Sequence, residues 1–233
     1  MQCQNNLKVL GLACHNYNDS HGHFPPGTLV ESAKDPEARL GLLVELMPYI
    51  EANDLYARLD RKHGWQAPAN QPVVTTAVKV FRCPSEHRTG PDYANITNYV
   101  GLAGAGDDAA TLPARHKRAG FFGHERETKV EDVKDGTSNT LLFLETIADN
   151  GPWAAGGPAT VRGVDPDAEP PIAKGGPFGV VHSDTRWNFG GIKASANAAM
   201  GDGSVRRVYG KTSAEVLAAL ATVAGGEELP ADW

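Results

Sequence analysis

Glu145, at the end of the apolar run LLFLE, and Asp202, in the turn Asp202-Gly203, are two carboxylates from which an acid–base pair can be imagined. Such chemistry needs one desolvated and one ionised carboxylate facing each other across a site. The plainer expectation is that Glu145 ends a strand and Asp202 opens an Asp-Gly turn. Asp165, Asp167, Asp184 and Asp202 lie in the Gly-rich last third and offer the hard oxygens that calcium takes from irregular loops. The DPDAE stretch lacks the ligand spacing of an EF-hand. His21 and His23 alternate across a loop and need a third ligand to hold a transition metal, and no HExxH-type set accompanies them. Surface or capping histidines are the simpler expectation.

Other candidate chemistry is thinner. Ser138 stands in GTSNT, where a nucleophile elbow requires Gly-x-Ser-x-Gly, so a side-chain-capped turn is expected. GLAGAGDD is glycine-rich without the lysine or the strand–helix context of a phosphate loop. Of three cysteines, Cys83 sits in the bend FRCPSE and Cys3 near the chain start. One bridge between them would leave Cys14 as a buried thiol, and three reduced buried cysteines are the alternative. The spacing suits no zinc knuckle.

These residues hang on elements that the periodicity outlines. Cys3, Leu7, Leu10, Cys14 and Tyr17 recur at three- and four-residue steps on one helical face, ending at Gly22 before Pro25-Pro26. A second helical segment spans about Leu40 to Leu59, kinked or started by Pro48. VVTTAVKVF reads as a strand or a short helix, NITNYVGLAG as a strand, and LLFLE as a buried central strand. Gly104 to Arg118 and Asn150 to Gly179 read as irregular. GVVHSDTRWNFGG and SANAAMGDGSVRRVYG suggest short strands or a hairpin around Asp202-Gly203. Ser213 caps a closing helix that Gly225 stops. With no alternation of strands and crossover helices, an α+β fold with an antiparallel sheet is expected.

At 233 residues with 41% hydrophobic and 21% charged positions, the chain can bury a sizeable core. Its net charge of −6 argues against a nucleic-acid partner. No apolar run has the length of a membrane span.

Seven stretches in order carry a family resemblance: MQCQNNLKVLGLACHNYNDSHGHFPPG, LMPYIEANDLY, FRCPSE, NYVGLAG, DGTSNTLLFLE, NAAMGDGSVRRV and TSAEVLAALATVAGGE. Together they resemble a bacterial family of prepilin-type proteins of unknown function with a closing His…Asp-Gly signature. The resemblance implies a pilin-like fold related to type IV pilins and type II secretion pseudopilins. It also implies a leader and an apolar anchor helix ahead of Met1, so the chain is expected to be the soluble portion of a membrane-anchored parent. His182 stands farther from Asp202-Gly203 than the family interval allows, which an insertion over roughly Thr185 to Ala194 accounts for.

One pilin-like domain over 1–233 is therefore expected, with 1–22 the remnant of the long helix and 150–179 an irregular insertion. Its role would be non-enzymatic, in the cell envelope or a surface filament. Its partners would be other pilin-like subunits, secretion or pilus-assembly machinery, and the membrane. No cofactor is required; calcium, by likeness to calcium-holding pseudopilins, would use Asp202, Asp184 and Glu145. The other reading is an extracytoplasmic module that stacks a glycan on Trp153 and Trp187. An enzyme would need Glu145, His182 and Asp202 in one cleft. Two corollaries follow: Cys3 and Cys83 come within bridging distance, and a filament-forming first helix keeps part of its apolar stripe uncovered.

Overall fold

In a computed structural model the fold is described for residues 1–88, 90, 93–173, 175–179, 182–184 and 193–230. Helix α1 (Gln2–His21) ends on Gly22 at φ 80°, whose N–H bonds the Asn18 carbonyl. A left-handed residue without Cβ strain ends the helix there, as the spacing predicts. The second helical segment is broken into α2 (Leu42–Leu46), a 3₁₀ turn at Met47–Tyr49 and α3 (Asn53–Tyr56). Pro48 sits in the first turn of the 3₁₀ piece, where its missing N–H costs nothing. The VVTTAVKVF region is helical rather than extended: α4 (Gln71–Val74) and a 3₁₀ turn at Lys79–Phe81.

Six strands among the described residues form one mixed sheet: β1 (Tyr99–Ala105), β2 (Leu141–Glu145), β3 (Val161–Val164), β4 (His182–Asp184), β5 (Lys193–Met200) and β6 (Val205–Tyr209). The order is β3-β1-β2-β5-β4, with β6 also paired to β5. The fold is α+β, as expected, and its sheet is antiparallel except at one edge, where β3 runs parallel to β1. That strand lies inside the stretch expected to be irregular. Its partner is over fifty residues away, so nothing local announces it. Arg162 of β3 holds the excursion around it by donating to the carbonyls of Ala148, Asp149, Pro158 and Pro177.

The sheet is covered on both faces. On one, α1 lies over β5 with β2 and β6 nearby, and Leu7, Leu10, Cys14 and Tyr17 join Phe24, Leu42, Tyr99, Phe122 and Phe143 in a core. On the other, α5 (Ala214–Ala221) packs Leu217, Leu220 and Ala221 on Val100, Leu102, Leu141 and Leu144. All of LLFLE is therefore buried, as expected of a central strand with neighbours above and below. A register shift between Leu141 and Phe143 lets Leu142 and Phe143 both face the α1 core.

Ser213 caps α5, its hydroxyl accepting from Val216 N–H. The helix ends at Thr222 rather than at Gly225. Tertiary pairing decides this: Val223 N–H bonds Ala119 O, and Val223 O accepts from Lys134 N–H, which draws the chain out straight. Gly225 and Gly226 instead donate to the Asp135 carboxylate.

The α1 stripe is fully covered, Cys3, Leu7, Leu10, Cys14 and Tyr17 all being buried. This corrects the expectation of an uncovered apolar stripe. The sheet itself supplies the cover, while the outer side of the helix exposes Leu12 at 60% and Val9 at 37%.

Candidate functional site

Strand pairing decides which side chains meet. Ser195 of β5 pairs with Tyr209 of β6 on one side and His182 of β4 on the other. Since β2 pairs with Ala198–Met200 opposite β6, β4 must lie on the β2 side, in line beyond the end of β2. That end is Glu145. Side-chain alternation turns Glu145 to the α1 face, where Cys3 comes from α1 and Cys83 from the FRCPSE bend.

The result is a compact polar cluster beneath the first turn of α1. Glu145 is fully buried; its Oε2 accepts from Asn197 N–H at 3.1 Å and Asn197 Nδ2 at 2.7 Å. His182 Nε2 lies 3.1 Å from the same oxygen and 3.9 Å from Cys83 Sγ. Among the described residues, Glu145 Oε1 and Asn197 Oδ1 are buried without a hydrogen-bond partner. Cys3 and Cys83 form a disulfide with Cα atoms 5.0 Å apart, and Cys14 stays a buried thiol, pushed well above the usual thiol range by burial. The bridging corollary therefore holds.

Surrounding residues fix these groups. Asn98 Oδ1 accepts from Cys83 N–H at 2.9 Å, and Asn6 Nδ2 donates to Arg82 O at 2.7 Å. The Tyr99 hydroxyl accepts from Asn6 and donates to Cys3 O at 3.4 Å. Burial, and after it the charge of Glu145, raise the Tyr99 phenol above its usual range. The imidazole is partly open to solvent at 24% while the carboxylate is sealed. Chemically the arrangement is a carboxylate–imidazole pair set against a disulfide.

The other predicted residues go elsewhere. Asp202 sits at the opposite end of β2 from Glu145, next to Met200, which pairs with Leu141. Its Oδ1 accepts from Ser204 N–H at 2.8 Å, so it is the turn residue expected, and the structure does not bring it to Glu145. Glu145, His182 and Asp202 thus share no cleft. Of the three residues expected for calcium, Asp202, Asp184 and Glu145, the structure separates Asp202 from Glu145 by the length of β2, and Asp184 ends β4. Asp165 accepts from Asp167 N–H at 2.9 Å in a local turn.

Trp153 is completely buried, tilted against Phe81 at 5.7 Å, with Nε1 donating to Thr76 O. That corrects its expected role as a stacking surface: a large ring with one satisfied N–H is a core residue here. Trp187 lies outside the described residues. His21 stacks on Tyr17 at 4.0 Å, and His23 Nε2 is 3.8 Å from Glu127. In GLAGAGDD the N–H groups of Ala105 and Gly106 bond Arg118 and Val164 carbonyls, which leaves neither for a phosphate. In GTSNT the side chains of Asn139 and Thr140 bond Asp135 and Gly136 carbonyls, giving the turn expected.

The family model described as "Protein of unknown function (DUF1559)" matches residues 1–190. The chain belongs to this family. Neither curated proteins nor solved structures give a match. The matched span of this DUF1559 member contains Cys3, Cys83, Glu145 and His182. Two positions that sequence reasoning passed over complete the cluster: Asn98, which opens NYVGLAG, and Asn197, which opens NAAMGDGSVRRV. Both begin stretches already singled out, and an amide side chain beside a buried strand end was the available signal. Among the described residues no helix is long and apolar enough to cross a membrane.

Proposed function

We propose that this DUF1559 domain is a non-enzymatic, pilin-like part of the cell envelope that positions what its first helix is attached to. The observation that carries the reading is the Cys3–Cys83 bridge. It ties the first turn of α1 covalently to the FRCPSE bend, across 80 positions of chain. A disulfide persists in oxidising compartments, which favours an extracytoplasmic place. A bridge at the start of the helix also passes any pull on that helix directly to the domain.

The ordered patches resembling prepilin-type proteins and the helix laid over a sheet support the same reading. Burial of the whole Cys3–Tyr17 stripe argues against filament packing through that face. We therefore favour an envelope-anchored positioning domain, with other pilin-like subunits or assembly machinery meeting it through other surfaces.

The test is fractionation of cells producing the complete gene product, followed by thiol alkylation before and after reduction. The expected result is membrane or surface association, accessibility to external protease, and Cys3 and Cys83 that react only after reduction. Recovery in the cytoplasm with Cys3 and Cys83 free would overturn the reading.

A further inference from the structure

From the geometry we propose a second state of the cluster: with the disulfide reduced, Cys3, Cys83, His182 and Glu145 form a four-ligand site for a zinc-type divalent ion. One ligand atom from each residue already lies within 4.8 Å of all the others. A tetrahedral zinc site with bonds of roughly 2.0–2.3 Å places its ligand atoms about 3.3–3.8 Å apart. Two of the present separations bracket that range: 3.1 Å from His182 Nε2 to Glu145 Oε2 and 3.9 Å from His182 Nε2 to Cys83 Sγ. Closing the site needs the two sulfurs to part and the imidazole to exchange its carboxylate contact for the ion.

Three further features fit a metal better than a merely structural cluster. Among the described residues Glu145 Oε1 is sealed from water and has no partner, so one carboxylate oxygen is available to an ion. Glu145 Oε2 is already held by the backbone and side-chain N–H groups of Asn197, the outer bonds that orient a carboxylate ligand. The Cys83 N–H is fixed by Asn98, and α1 carries Cys3 on a packed face, so both sulfurs come from rigid supports. The partly open His182 gives an entry side.

The chemistry balances with an external dithiol. Its thiolate attacks one sulfur of the bridge and its second thiol completes the exchange, leaving Cys3 and Cys83 as thiols and the dithiol as a cyclic disulfide. Binding of a divalent ion then releases the two thiol protons. Oxidation state thereby selects which tie holds α1 to the sheet: a covalent bridge or a metal. This inference goes beyond the envelope assignment and does not depend on where the protein resides.

The experiment uses the full chain, reduced with a phosphine under argon, freed of reductant and titrated with Co²⁺ alone, then with Zn²⁺ in competition. The expected result is one ion per chain, a sulfur-to-cobalt charge-transfer band, and d–d absorption of tetrahedral strength. Re-oxidation abolishes uptake, and E145Q and H182A each weaken it by at least ~10-fold. If reduction alone loosens the fold, Zn²⁺ restores the far-UV circular dichroism of the native chain. Any of three results overturns the proposal: no thiolate–cobalt band in the reduced chain, unchanged affinity in both E145Q and H182A, or a loosened reduced chain that Zn²⁺ does not restore.

Discussion

Replacing Arg126 with methionine removes the most heavily bonded cation in the described structure. The side chain is buried, and its guanidinium donates to the carbonyls of Ala103, Ala109, Leu112, Gly120 and Phe122. It thereby gathers the β1–β2 connection around one charge. Ala103 O and Ala109 O keep a backbone donor without it, Gly120 N–H and Leu112 N–H respectively. Among the described residues, the carbonyls of Leu112, Gly120 and Phe122 have no donor besides the arginine. Stranding three such groups costs about 6 kcal/mol at about 2 kcal/mol each. Against this, burial lowers the guanidinium to about 10, a desolvation cost of about 3 kcal/mol at about 1.4 kcal/mol per tenfold change. Methionine no longer bears that cost, so R126M should lose about 3 kcal/mol net. Lysine keeps the charge but has three donors on one nitrogen, so R126K should be no more stable than R126M. Urea unfolding under non-reducing conditions, read by both circular dichroism and tryptophan fluorescence, measures the midpoint shift at constant slope. An R126M midpoint indistinguishable from wild type would refute the accounting, and full rescue by R126K would refute the need for a planar fork.

Two further outcomes are expected. Burial, then the neighbouring Arg39, lower the His124 imidazole from 6.5, so the folded state resists its protonation. The stability this ring permits is complete above about pH 6.5 and falls as pH drops toward the folded value, because the unfolded chain then binds more protons. H124Q should flatten that slope when urea midpoints at about pH 5 and pH 8 are compared, and an unaltered slope would assign it to other groups. The double variant C3S/C83S should lose about 4.5 kcal/mol, the chain-entropy estimate for so long a loop; a midpoint equal to that of the oxidised wild type would mean that packing alone holds α1.

Much of the framework was legible because it rests on local chemistry. The α1 stripe, its Gly22 stop, the Ser213 cap and the Asp202-Gly203 turn each follow from a few adjacent residues. LLFLE announced a central strand by being apolar without alternation, which suits a sheet covered on both faces. The sequence also placed Cys3 and Cys83 in settings that a bridge could join, while leaving the reduced alternative open.

Other features belong to the tertiary structure alone. β3 sits in a Gly- and Pro-rich stretch and is a strand because β1 offers it a parallel edge. The end of α5 is set by partners at Ala119 and Lys134 rather than by Gly225. Trp153 became core because Phe81 and the Thr76 carbonyl enclose it. Residue types pair Glu145 with Asp202, yet the sheet puts them at opposite ends of β2 and gives Glu145 the imidazole of His182 instead. Residue types alone establish which groups can ionise, bridge or ligate. Which of them meet depends on strand order and register, and those arise from pairings between segments far apart in the chain.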